Sequence, residues 1–422
     1  MAAKSKIKKL FTALWITLAG VPLLLIAAIT IVLSSETAQT YVAEKVASHL
    51  SEKSGADITI SKVFINLFKL SVDFKDIYVA DLNHDTLLYA GSIEARLKSF
   101  GISQNYYHIA QAQVRNVVLN MIADSSGNYN YSFLFSDNDS LQVDTSTSDT
   151  KFKIEVGKLM LANINYRLIS KTPAGNSPIM DFDNLQLSGV TLLGKNFMIN
   201  EKTEISLQID SLTAKEHCGF ELRKLAANAF VGPDKGILLK DLVLRTPNTD
   251  LSADSLNFHC NSFDDFSDFC NKVVLGAKIN EGSRLCVDDI GRFAEPLYGY
   301  GIAPNISTVV FGPVSSLNIQ SLRVAYLDAT RLTADGFIQG LPDINHSYFD
   351  LDINELSTSQ DNINTLYKPF SDELILELPD ALNELGTVNL SALVTGKADN
   401  LTLDGNLTSN LGNISTDVTL VT

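Results

Sequence analysis

Along most of this chain, apolar residues return at every second position. Leu70, Val72 and Phe74 alternate with Ser71, Asp73 and Lys75, and Ile205, Leu207 and Ile209 alternate with Ser206 and Gln208. Val388, Leu390, Ala392 and Val394 repeat the pattern, as do Ile414, Thr416, Val418 and Leu420. Successive side chains of a strand point to opposite faces, so these runs predict strands with one apolar and one polar face. The period changes only near the N-terminus. Ala38, Val42, Val46 and Leu50 recur every fourth residue and predict one stripe of a short amphipathic helix that stops at Gly55.

A weak repeat runs through the strand pattern: apolar, any, Asp or Asn, apolar, any, apolar. It reads Phe74-Lys75-Asp76-Ile77-Tyr78-Val79, then Val114 to Leu119 around Asn116, and Phe182 to Leu187 around Asn184. It returns at Leu239 to Leu244 around Asp241 and at Ala398 to Leu403 around Asn400. Each copy shifts the apolar parity by one, as a bulge or tight turn at the Asp or Asn would do. Bulges add twist and curvature, so the repeat predicts a long, curved sheet. Its uneven spacing excludes a short-period solenoid.

The breaks in the pattern divide the chain. Residues 136–150, SDNDSLQVDTSTSDT, carry only Leu141 and Val143 as apolar residues and read as a flexible acidic linker. KTPAGNSP (171–178) and NSFDDFSDF (261–269) read as loops or breaks, and VDDIGRFAEPL (287–297) as a short helical or irregular insert. The expected organisation is a lysine cluster with a membrane segment (1–35), a helix and β region (36–135), the linker (136–150) and β repeats (151–422). The sequence stops within an alternating run, which predicts continuation in a longer protein.

Composition sharpens this picture at the N-terminus. The 422 residues are 45% hydrophobic and 19% charged, as in a folded chain. Residues 10–35 hold no charged side chain, and as a helix they would extend about 39 Å, beyond the ~30 Å hydrocarbon core. Pro22 is tolerated in such a helix. No small-residue cleavage site follows a short apolar region, which favours an uncleaved anchor over a signal peptide. Lys4, Lys6, Lys8 and Lys9 place the N-terminus in the cytoplasm, and in a bacterium the body lies in the periplasm. A net charge of −15 without a basic stripe excludes a phosphate-tracking nucleic-acid binder.

Candidate chemistry is sparse. Asp76, Asp81, His84 and Asp85 fall within FKDIYVADLNHDTLLYA (74–90), where ADLNHDT has turn-forming composition and no further metal ligand lies nearby. The reading is strand, turn, strand. GVTLLGKN (189–196) lacks the Ser or Thr of a phosphate-binding loop and continues a strand alternation. Cys218, Cys260, Cys270 and Cys286 lack paired spacing; His217-Cys218 and His259-Cys260, if on strands, offer one ligand per face. An oxidising compartment permits a disulfide among the four. No Ser-His-Asp or Cys-His grouping assembles, so no catalytic, cofactor-binding or metal-ligating residues are expected.

The anchor and short helix lead into ADITISKVFINLFKLSVDFKDIYVADLNHDTLLYAGSIEARL, followed by IADSSGNYNYSFLF with a turn at Gly127 to Tyr129. Near the end stands LPDALNELGTVNLSALVTGKADNLTLDGNLTSNLGNISTDVTL. These stretches, over about 36–135 and 386–422, resemble the AsmA-like superfamily, specifically its TamB type from Bacteroidota. Members are usually longer and end in a C-terminal domain missing here. The resemblance implies a mainly β fold: a transmembrane helix, a short helix, then an elongated, folded-over sheet forming an apolar groove. It also implies an inner-membrane-anchored, periplasmic carrier of phospholipid toward the outer membrane, with acyl chains as ligand and no cofactor. The alternative is an assembly factor for outer-membrane or secreted β-barrel proteins, acting through sheet edges and an outer-membrane barrel partner. The expected groove lining is Leu70, Val72, Phe74, Ile205, Leu207, Ile209, Val388, Leu390, Val394, Ile414, Val418 and Leu420.

Overall fold

The alternating runs form strands, and the strands form one sheet. A computed structural model describes residues 35–421 apart from 67, 102–105, 135–151, 171–174, 176, 360–361, 363–383 and 385. The membrane segment and the acidic linker expected from the sequence lie outside the described residues. Among the described residues, no helix is long and apolar enough to cross a membrane.

The first strands are β1 (Ile58–Asn66), β2 (Ser71–Ala80), β3 (Thr86–Gly101), β4 (Tyr106–Ile122), β5 (Lys153–Ile169) and β6 (Gln186–Ile199). Then come β7 (Ile205–Glu216), β8 (Glu221–Gly232), β9 (Gly236–Arg245), β10 (Asp250–His259), β11 (Val274–Arg284) and β12 (Asn305–Gly312). The last are β13 (Ser316–Tyr326), β14 (Thr330–Gln339), β15 (Tyr348–Ser359), β16 (Thr387–Lys397), β17 (Asn400–Ser409) and β18 (Gly412–Val421). Each strand pairs with its neighbours in sequence, giving an 18-stranded sheet. β4 and β5 pair in parallel and the other neighbours are antiparallel. Among the described residues β1 and β18 do not meet, so the described sheet is unclosed.

Curvature comes from residues in the left-handed region within strands. Asp76 (φ 47°), Asn116 (φ 55°), Asn163 (φ 56°), Asn196 (φ 55°) and Asp241 (φ 52°) all sit there, a conformation that Asp and Asn tolerate best after glycine. At Asp76 the ladder keeps its register, passing from Lys75↔Ser92 to Ile77↔Ala90, and leaves Asp76 and Gly91 unpaired between them. Two of these positions are tied together, Asn163 Nδ2 donating to Asn116 Oδ1 at 2.9 Å, and on the neighbouring strand the Tyr89 hydroxyl donates to Asp76 Oδ1 at 2.8 Å. Register shifts accompany Asn163, Asn196 and Asp241, and bulges of this kind bend and twist the strands they interrupt. Of the five repeat copies, Asn184 and Asn400 depart from this: Asn184 lies in the turn before β6, and Asn400 opens β17 after a turn.

Helix α1 (Glu36–Ser54) starts at Ser35, whose hydroxyl accepts from Ala38 N, and stops at Gly55 with φ 74°. It lies along the free edge of β1. Thr40 Oγ1 accepts from Val63 N at 3.0 Å and donates to Val63 O at 3.2 Å. Ser51 Oγ serves Ile58 N and O at 2.8 and 3.1 Å, and the Gln39 amide serves both backbone groups of Ile65. The helix therefore occupies the hydrogen-bonding edge that an outer strand would otherwise leave open. Its apolar stripe does not pack on the sheet: Val42, Val46 and Leu50 are exposed, and Ala47 is its buried residue. At the other end, the outer edge of β18 is unpaired among the described residues.

Two readings of the sequence are corrected. Leu70 is in the turn before β2, with φ 50°, and not on the strand. NSFDDFSDF is largely helical: a 3-10 turn (Phe263–Asp268) runs into α2 (Phe269–Lys272), and Asp265 Oδ2 accepts from the N–H groups of Asn261 and Ser262. The insert after β11 holds α3 (Val287–Gly291) and a 3-10 turn at Glu295–Leu297, as expected. The fold has little interior. Buried hydrophobic residues among those described are mostly Ala and Cys, and none is Phe, Ile, Met or Tyr, though the chain has 21 Phe.

Candidate functional site: a continuous apolar face

Residues opposite one another in a ladder share a face, so the pairing register traces each face across the sheet. From β7 toward β1 the row reads Ile209, Gly194, Leu159, Ala112, Ala95, Val72 and Ile65. In the other direction Leu207 pairs with Ala229, and the row continues through Leu239, Leu256, Ala277, Val310 and Ile319. It ends through Gly336, Leu351, Val394, Leu403 and Val418. No polar side chain interrupts it from β1 to β18. One position away, the opposite face carries Ser71, Arg96, Gln111, Lys158, Lys195 and Gln208, then Asn228, Lys240, Ser255 and Lys278.

The register places most of the expected lining residues on this face. Val72 and Phe74 lie on it in β2, Ile205, Leu207 and Ile209 in β7, Val388, Leu390 and Val394 in β16, and Ile414 and Val418 in β18. Leu420 stands in register with Leu401. Leu70, in its turn, is the exception. A Cβ built on Gly194 would lie 2.9 Å from Leu207 Cδ1, so the Leu207 side chain fills the space over that glycine. Val72, Leu207 and Val394 are half-buried, and the described strands supply no second sheet to cover them. The most enclosed part is at β8–β10, where Ala227, Leu242 and Ala253 are packed by Leu225, Leu239, Leu244, Leu251 and Leu256.

At one rim of the sheet, polar groups lace the loops together. Asp81 in the β2–β3 turn accepts from Asn130, and the Tyr129 hydroxyl lies 2.7 Å from Ser170 Oγ. Arg292, after α3, donates through Nη1 to Pro178 O and Cys218 O at 3.0 and 2.6 Å. Asp289 Oδ2 accepts from Thr246 and Thr249, each at 2.6 Å. The insert thus reaches from β11 back to the loop before β6. A cleft of about 610 Å³ opens there, lined by Ile179, Met180, Phe182, Glu216, His217 and Cys218. Burial works against the charge on Glu216, but hydrogen bonds from Cys218, Gln186 and His217 hold its carboxyl below the usual range. Burial first, then the neighbouring Glu216, pushes the Cys218 thiol up.

The conspicuous polar motifs have structural settings. Asp81, His84 and Asp85 form the β2–β3 turn, with Asp81 Oδ1 accepting from the N–H groups of Asn83 and Asp85. Asp76 lies within β2 in the left-handed region, its carboxylate accepting from the Tyr89 hydroxyl. Residues 189–196 lie wholly inside β6. His217 and Cys218 occupy a turn and not a strand, and His259 is the last residue of β10. Among the described residues the four cysteines are free, and no three His, Cys, Asp or Glu side chains are grouped to hold a metal. No family model, no curated protein and no solved structure matches this chain.

Proposed function

We propose that this chain is an AsmA-like, TamB-type carrier that moves phospholipid along an apolar groove without chemical catalysis. The observation that carries the reading is the row of apolar side chains running without a polar break across all 18 strands. At ~4.8 Å per strand the row follows a contour of roughly 80 Å, longer than a bilayer is thick. A 16-carbon acyl chain in water costs about 13 kcal/mol at ~0.8 kcal/mol per methylene, so a continuous apolar path removes most of the barrier to its passage. Residues 10–35 serve as a single-pass anchor in a bacterial inner membrane, with the N-terminus cytoplasmic and the body in the periplasm. The polar opposite face meets water.

A photoreactive amino acid at 207 tests this reading in cells. The expected result is capture of phospholipid at 207, and none at 206 or 208, which belong to the other face. Protein-only capture at 207 would leave a conventional sandwich interior in place of a groove. One observation favours a second reading, assembly of β-barrel clients by strand addition: the unpaired outer edge of β18. Co-purification of a barrel protein without bound lipid would select it.

A further inference from the structure

Helix α1 has two sides with different partners. Gln39, Thr40 and Ser51 are committed to the backbone of β1, and Glu36 pairs with Lys62 at 2.6 Å. The arc turned away from β1 carries Val42, Val46 and Leu50, exposed by 60%, 54% and 46%. Tyr41 stands beside them, 59% exposed, with Lys45 Nζ over its ring at 5.7 Å. Lys45, His49 and Lys53 are exposed on the same arc by their helical spacing, with Glu52 at its margin. Apolar side chains interleaved with lysines, on a helix in an acidic chain, form a surface complementary to anionic lipid headgroups. The helix begins one residue after the uncharged run 10–35 ends.

We propose that this arc rests on the surface of an anionic membrane. The inference rests on residues 10–35 being the anchor, and adds an orientation. The bonds from Gln39 to Ile65 and from Ser51 to Ile58 align α1 with β1. A helix lying flat on the bilayer therefore holds β1 parallel to the membrane plane, and each later strand stands farther from it. The apolar row then leads away from the membrane, with β1 as its base.

The test uses the full chain reconstituted in vesicles of phosphatidylcholine with phosphatidylglycerol, and in vesicles of phosphatidylcholine alone. A photoreactive amino acid replaces Val42 or Val46 on the arc, or Glu44 on the opposite flank. The expected result is lipid capture at 42 and 46 but not 44, severalfold greater with phosphatidylglycerol and reduced severalfold by Lys45→Glu with Lys53→Glu. If the chain floats with the vesicles but 42 and 46 capture only residues 10–34 or nothing, the helix does not lie on the surface and the proposal fails while the anchor stands. A chain that does not float overturns the anchor reading, and this orientation with it.

Discussion

Of the four polar residues gathered between 76 and 85, Asp81 alone is buried, 4% exposed. Its Oδ1 accepts from Asn83 N at 2.9 Å and Asp85 N at 3.0 Å, and its Oδ2 accepts from Asn130 Nδ2 at 3.2 Å. His84, at φ 64°, has its ring 2.8 Å from Asp57 Oδ2, and both side chains are exposed. An exposed pair of this kind contributes about 0–1 kcal/mol. Asp81→Ala removes the charged acceptor of three part-buried hydrogen bonds and should cost about 1–3 kcal/mol in urea unfolding. His84→Asn keeps a residue suited to the left-handed region and should stay within about 0.5 kcal/mol. Equal effects would show that the turn does not depend on the Asp81 carboxylate. The turn was legible in ADLNHDT. The weight on Asp81 was not, because its third partner, Asn130, is 49 residues away in sequence.

Helix α1 was legible from its period and its stop at Gly55, yet the side it buries was not. A stripe at every fourth residue ordinarily faces a core. Here the neighbour is a sheet edge, which offers N–H and C=O groups and little apolar surface, so the polar side chains face inward. Gln39, Thr40 and Ser51 match three outward-facing residues of β1, and that match appears only once the strand is in place. Thr40→Val keeps the shape but removes both bonds to Val63. Loss of two bonds worth ~1 kcal/mol each should speed amide exchange at Val63 by about thirtyfold, with little change at Phe74 across the ladder. Unchanged exchange at Val63 would mean that packing, and not the hydroxyl, protects the edge.

At the scale of the molecule, the alternation could be read locally because nearly every strand pairs with the next one in sequence. The parallel β4–β5 pair was not legible, since its connection runs through a long break in the pattern. Nor was the continuity of the apolar face, which depends on register shifts beside residues such as Asn163 and Asn196, outside the five repeat copies named above. That continuity has a consequence for carboxylates placed along it. Leu207→Asp, Val310→Asp and Leu351→Asp sit in β7, β12 and β15, on one row. The proposed transport path is serial, so under that proposal one charge at any of the three should block lipid movement in reconstituted vesicles to a similar extent. Each site is half-buried and open to partial hydration, so the variants should remain folded by circular dichroism. Gln208→Asp, one position over on the polar face, should move lipid normally. A local binding pocket would give a different pattern: one sensitive position, two silent ones. Unfolding of all three Asp variants would instead mark the face as a sealed interior, where an unpaired carboxylate costs several kcal/mol.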